Sequence, residues 1–243
     1  MTALDLSFIG TGNAFAPGGL CWNGFLVNEK FLFEAPPQAL MSLNRLGVDP
    51  NAIEAVVISH HHGDHFLGLP FLLLHWKYFG RKTPVRIIGP SETEAVARQV
   101  CERVYPGLFD FSFEIEWATA APGAPITTGD LTVESVPVKH DRKLNENLGF
   151  ACRLGDRRFA YTGDSAICEA VLDLARGSEL LVSECASRAE RLPMHMNLVD
   201  DMPVLRAALP PESSLLITHI NSDVTDPGLP RTAVARDFER YRF

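Results

Sequence analysis

Ser59-His60-His61-His62-Gly63-Asp64-His65 is the stretch that decides the fold, and it follows directly on the apolar run Ala55-Val56-Val57-Ile58. Four imidazoles and a carboxylate within six positions are costly to crowd together unless a cation sits among them. Neutral imidazole and carboxylate are the ligands that zinc and its transition-series neighbours take. In extended backbone His60, His62 and Asp64 point to one side, and His65 reaches the opposite side of a bound ion pair. The run is therefore expected to be a loop at the carboxyl end of a strand, wrapped around two metals. A solvated histidine tract is the bland reading, and the preceding strand and the alternation argue against it.

Around this run the chain has 243 residues, 46% of them apolar, enough for one large α/β unit with a substantial core. No repeat, low-complexity tract or long linker divides it, so residues 1–243 are expected to form a single domain. The apolar stretch Phe66–Leu74 is broken by Gly68 and Pro70 and is too short to span a bilayer. The N-terminus carries no signal-peptide pattern. Five scattered cysteines without a Cys-x-x-Cys pair read as reduced thiols, and together these features predict a cytoplasmic protein. A net charge of −8 argues against a surface that coats nucleic acid.

Patterning predicts strands at Leu4–Ile9, Gly24–Val27, Phe31–Phe33, Ala55–Ile58, Val85–Ile88, Phe111–Trp117, Leu131–Val138, Leu180–Ser183 and Leu215–Thr218, with a hairpin of Phe150–Leu154 and Arg158–Tyr161. Helices are predicted at Pro36–Leu46, Leu67–Phe79, Ser91–Val104 with a Ser91/Glu94 capping box, Ile167–Leu174 and Leu198–Ala208. Gly10-Thr11-Gly12-Asn13 reads as a tight turn; it lacks the third glycine of a dinucleotide fingerprint and the lysine of a P-loop. Strands and helices repeating in two halves suggest a sheet sandwich covered outside by helices.

Three further residues each end an apolar strand-like run: His140, Asp164 and His219. A polar side chain at the end of a buried strand must find partners, and a metal is one of them. Singly, each is equally an ordinary capped strand end; with the histidine run they form a set.

The chain resembles the metallo-β-lactamase superfamily, whose His-x-His-x-Asp-His signature stands here as His60 to His65. His140, Asp164 within Tyr161-Thr162-Gly163-Asp164-Ser165, and His219 follow in the family's order. The resemblance implies an α/β fold, a four-layer αββα sandwich, with a dinuclear site at one edge. By the same resemblance His60, His62 and His140 would hold one metal, Asp64, His65 and His219 the other, and Asp164 would bridge them. Two divalent ions are implied, zinc first, with manganese or iron accepted by the same donors. His61 would point away and be structural.

Asp164 separates the chain from true β-lactamases, which lack the bridging aspartate. Gly10-Thr11-Gly12, Gly68-Leu69-Pro70 and Leu180-Leu181-Val182-Ser183-Glu184 are similar to the ribonuclease Z-like and small phosphodiesterase branch. The resemblance implies that Glu184 pairs with His195, which would stabilise the scissile phosphate or protonate the leaving oxygen. In each residue's own right, a structural role is the competing reading. Two departures stand out: Asp164 to His195 spans 31 residues, too short for a tRNA-clamping arm, and the Asp-Cys-Gly-type run expected after Phe33 is Glu34-Ala35-Pro36-Pro37. They argue against tRNA processing and for a small or short phosphodiester substrate.

The expectation is a dinuclear metal-dependent hydrolase, a phosphodiesterase acting through a metal-bridging hydroxide with Asp64, His195 and Glu184 as its catalytic side chains. Lys139, Arg142 and Lys143 stand ready to attract phosphate, or form a solvated face. The rivals are a hydrolase of lactones, thioesters or sulfate esters and a non-catalytic metal-binding protein. A homodimer is expected from the resemblance alone.

Overall fold

The computed structural model describes residues 3–243. In chain order the first half holds β1 (Asp5–Gly10), β2 (Gly24–Val27), β3 (Phe31–Phe33), α1 (Ala39–Leu46), β4 (Ala55–Val57), α2 (Gly63–Phe66), α3 (Leu69–Tyr78), β5 (Val85–Gly89), α4 (Thr93–Val104) and β6 (Ile115–Thr119). The second holds β7 (Ile126–Thr128), β8 (Leu131–Pro137), β9 (Leu148–Leu154), β10 (Arg157–Tyr161), α5 (Glu169–Arg176), β11 (Leu180–Cys185), α6 (Asp201–Ala208), β12 (Ser214–Ile220), β13 (Thr232–Val234) and β14 (Arg240–Arg242). Two mixed sheets result, ordered β14-β1-β2-β3-β4-β5-β6 and β13-β12-β11-β10-β9-β8-β7.

Period-two side-chain alternation explains the layering, because both faces of the central strands are buried. Phe8, Phe25, Phe33 and Val57 of the first sheet meet Phe150, Phe159, Tyr161 and Val182 of the second in one core between the sheets. Their neighbours Ile9, Leu26, Leu32 and Val56 turn outward to Leu43, Leu72, Trp76 and Ala97 of α1, α3 and α4. On the other side Ala160, Leu181, Leu215 and Ile217 pack under Val171, Leu174, Met202 and Leu205 of α5 and α6. The order is helix, sheet, sheet, helix, as expected. No helix among the described residues is long and apolar enough to cross a membrane.

Strand direction positions the site. β3, β4 and β5 are parallel, and so are β10, β11 and β12. β8 runs antiparallel to β9, which runs antiparallel to β10, so β8 shares the direction of β10. Their carboxyl ends therefore open at one edge. There the sheets are stapled together: Thr218 Oγ1 donates to Asn23 Oδ1 at 2.6 Å, Asn23 Nδ2 donates to the Tyr161 hydroxyl at 2.9 Å, and Leu148 N donates to Ser59 O at 3.1 Å.

Several sequence-based expectations need correction. Gly10 to Asn13 is no tight turn: Gly12 bridges both Trp22 and Ile220 in extended backbone. Glycine is required there by close approach, since a Cβ on Gly10 would fall 2.0 Å from Trp22 O. The Ser91/Glu94 capping box does not form, because Ser91 N donates to Glu146 Oε2 at 2.7 Å and α4 begins at Thr93. The strand predicted from Phe111 begins only at Ile115, because Phe109 and Phe113 pack edge-on and tilted against Phe111 beside it. The run after His62 is not extended, since Gly63–Phe66 close a helical turn that carries Asp64 and His65.

Candidate metal centre

All seven candidate ligands converge at the edge where the strands end. β4 leads into His60 and His62, α2 carries Asp64 and His65, and His140 and Asp164 follow β8 and β10. His219 lies within β12 near its carboxyl end, at a φ of 50°, in the left-handed region that non-glycine residues rarely occupy. Glu34 (φ 65°) and Met194 (φ 62°) share this conformation, so three strained residues surround one site.

Two groups of donors share one carboxylate. His62 Nδ1 lies 3.0 Å from His60 Nε2 and 3.2 Å from His140 Nε2. Asp64 Oδ2 lies 3.2 Å from His65 Nε2 and 3.4 Å from His219 Nε2. Asp164 Oδ2 stands between the groups, 3.3 Å from His219, 3.4 Å from His65, 3.9 Å from His140 and 4.0 Å from His60. Burial pushes the Asp164 carboxyl up, but His219 and His65 outweigh it and hold it well below the usual carboxylate range. Asp64 behaves likewise: burial raises it, and His65 and His219 bring it far down. Burial drives His60 well below its ordinary value, with His65 adding to the effect. For His65 burial works downward too, yet Asp164, Asp64 and Glu34 carry it well above.

The donor set fits divalent metal ions. Asp164 Oδ1 and His65 Nε2 are buried without a hydrogen-bond partner among the described residues. Such groups are costly unless another species satisfies them. The second nitrogen of four of the five imidazoles is also informative, because metal-ligating histidines are oriented through it. His60 Nδ1 lies 2.8 Å from Ser59 Oγ, His62 Nε2 3.2 Å from Asp141 Oδ2, His65 Nδ1 3.4 Å from Glu34 Oε1 and His140 Nδ1 3.3 Å from Met194 O. His61 does turn away, its Nε2 lying 2.9 Å from Thr93 Oγ1.

Glu34, like Ser59 and Asp141, is a residue that sequence reasoning missed. Its Oε2 accepts Ser59 N–H at 3.2 Å, its Oε1 lies 3.4 Å from His65 Nδ1, and burial together with its charge pushes the Tyr161 hydroxyl well above its ordinary value. The departure noted after Phe33 thus keeps a carboxylate, one methylene longer, beneath the metal ligands. A single acidic residue directly after a fully apolar strand was the available signal.

Glu184 and His195 stand beside the centre. Glu184 is fully buried; its Oε1 lies 2.9 Å from His195 Nδ1 and accepts Ser165 N–H at 3.0 Å, and its Oε2 accepts Ala186 N–H at 3.1 Å. Burial raises the Glu184 carboxyl despite His195. Burial alone would lower His195, but the hydrogen bond and charge of Glu184 push it up to about 9. The His195 ring stacks on His219 at 5.6 Å between centroids and meets His140 edge-on at 4.8 Å. Lys139, Arg142 and Lys143 are exposed on the loop around His140.

A family model described as a beta-lactamase superfamily domain matches residues 29–220. The chain belongs to the beta-lactamase superfamily. Within the superfamily it falls on the ribonuclease Z-like branch. It is 24% identical to a ribonuclease Z of Methanosarcina acetivorans over 276 aligned residues, covering 92% of this chain and 89% of the relative. A ribonuclease Z of Methanothermobacter thermautotrophicus is also 24% identical, over 76% of this chain and 75% of the relative. Among solved structures, the metallo-beta-lactamase fold protein YhfI from Bacillus subtilis superposes with a TM-score of 0.80 at 19% identity over the whole of both chains. The short form of human tRNase Z gives 0.79 at 18% identity over 98% of each. At that identity the two structures speak for the superfamily fold alone.

Gly163 sets the turn that delivers Asp164. Its φ is 58°, and a Cβ there would fall 2.4 Å from Leu148 O. Gly163→Ala is expected to cost about 1–3 kcal/mol by overpacking and strain. Each kcal/mol is worth roughly 2–4 °C of melting temperature at this chain length. Scanning fluorimetry checks this, and an unchanged midpoint would show that the turn relaxes freely.

Proposed function

We propose that this metal-dependent hydrolase of the ribonuclease Z-like branch cleaves phosphodiesters at a two-metal site, with zinc the first candidate. The observation that carries the reading is Asp164 Oδ2, placed within 4.0 Å of imidazoles from both donor groups. His60, His62 and His140 would hold one ion, Asp64, His65 and His219 the other, with Asp164 shared. Divalent ions bound there supply an acidified water and withdraw charge from phosphoryl oxygens.

The chain's own side chains supply the rest. Asp64, only partly buried, orients the attacking water and accepts its proton as the new P–O bond forms. His195, held by Glu184 through Nδ1, presents its other nitrogen to the leaving oxygen and donates a proton as that P–O bond breaks. Only α5 and the body of β11 separate Asp164 from Glu184, and a loop of nine residues, 186–194, joins β11 to His195. This compactness supports a small or short phosphodiester over a folded tRNA. Five free cysteines, three of them buried, support placement in a reducing cytoplasm.

Bis-p-nitrophenyl phosphate tested against panels of lactones, thioesters and sulfate esters separates the reading from its rivals. Turnover confined to the phosphodiester is expected; turnover confined to a carbonyl or sulfate ester overturns it. His195→Ala is expected to lower kcat by about 10²–10⁴-fold on a dinucleotide with a poor leaving group. On the activated p-nitrophenyl ester, whose leaving oxygen needs little protonation, the loss should be far smaller. Equal losses on both substrates would remove His195 from the acid role.

A further inference from the structure

We propose that Asp141 is the positioning residue of the first metal position, fixing which nitrogen of His62 faces the ion. The inference rests on the two-metal reading above.

His62 differs from its companions. It turns Nδ1 toward His60 and His140, at 3.0 and 3.2 Å, whereas those two point Nε2 inward. Its Nε2 is therefore left facing outward, and Asp141 Oδ2 lies 3.2 Å from it. An imidazole that offers the Nδ1 lone pair must carry its proton on Nε2, and a carboxylate at that distance accepts that proton's hydrogen bond. Exposure sharpens the need. The His62 side chain is 37% exposed, while His60, His65, His140 and His219 are held at 5% or less by the surrounding core. Packing orients the others; for His62 the hydrogen bond must do more of it.

Asp141 is itself fixed for this task. Its Oδ1 accepts Lys143 N–H at 2.8 Å, and its backbone carbonyl accepts Asn147 Nδ2 at 2.9 Å. Being the chain neighbour of His140, it couples two ligands of the same ion. Ser59 and Glu34, which orient His60 and His65, are both buried. Asp141 is one-third exposed, so its substitution disturbs the site with little cost to the core.

Zinc titration of the full chain against a chromophoric chelator tests this, with wild type, Asp141→Ala and Asp141→Asn compared. Wild type should take two equivalents. In Asp141→Ala one of them should weaken by about 10–100-fold, as expected for loss of an outer hydrogen bond to a ligand, while the other holds. Asp141→Asn should recover part of that loss, because its amide oxygen still accepts from Nε2–H. The melting point of the metal-free protein should be the same in all three. Unchanged affinity in Asp141→Ala, equal weakening of both equivalents, or no recovery in Asp141→Asn would each overturn the assignment. A wild type that takes no zinc would instead overturn the two-metal reading, and the Asp141 role with it.

Discussion

Asp164→Asn is expected to abolish phosphodiester turnover, with a fall of at least about 10³-fold, beyond the 10–100-fold typical of losing an outer hydrogen bond to a ligand. The substitution keeps size and shape and removes one negative charge. That charge sits 3.3 to 4.0 Å from four imidazole nitrogens, two from each donor group. A neutral amide there would leave Asp64, which would hold one of the two dications, as the sole carboxylate of the donor set. Repulsion between the ions is then poorly offset, and at least one should be lost. Turnover of bis-p-nitrophenyl phosphate and metal content measured on the same preparation check this, with circular dichroism showing that the fold is kept. Retained activity with a full metal complement would remove Asp164 from the bridging position.

Glu34→Ala should have the next largest effect, and it acts on stability and metal together. Glu34 is wholly buried under the site, and Ser59 N–H and His65 Nδ1 both turn to it. Alanine leaves the buried Ser59 N–H without its acceptor, at about 1–3 kcal/mol, and takes from His65 the charge that faces it. His65 also loses the group that orients it, which should weaken its metal by roughly 10–100-fold. Glu34→Gln should recover part of the stability, since its amide oxygen can still accept from one donor. A thermal melt and a zinc titration on both variants check the pair of effects. A Glu34→Ala protein with wild-type melting temperature would show that water replaces the carboxylate at no cost.

Much of the fold was legible because the strands that carry the site are buried on both faces. Phe31–Phe33 and Leu180–Ser183 are recognisable as short runs bounded by turns, and the β9–β10 hairpin announces itself through Gly155-Asp156. The edge strands were not legible. Thr232–Val234 and Arg240–Arg242 are short and partly exposed, and they take their strand character from pairing with β12 and β1 rather than from their own pattern. The same distinction runs through the centre. His60, His62, Asp64 and His65 are contiguous, and His140, Asp164 and His219 each lie at a visible strand end. Glu34, Ser59 and Asp141 act through space on a neighbour's second nitrogen, and no spacing in the chain encodes that. The helical turn at Gly63–Phe66 was hidden for a related reason: it is set by Phe66 docking into the core and by Leu67 N–H closing on Gly63 O, which outweigh the local alternation.

Metal content of the purified, chelator-stripped and zinc-reconstituted chain tests the two-metal centre most directly, read by elemental analysis alongside turnover of bis-p-nitrophenyl phosphate. Two equivalents per chain are expected, with turnover lost on stripping and regained as the second equivalent is restored. Full turnover with one equivalent or none would contradict the shared-carboxylate centre.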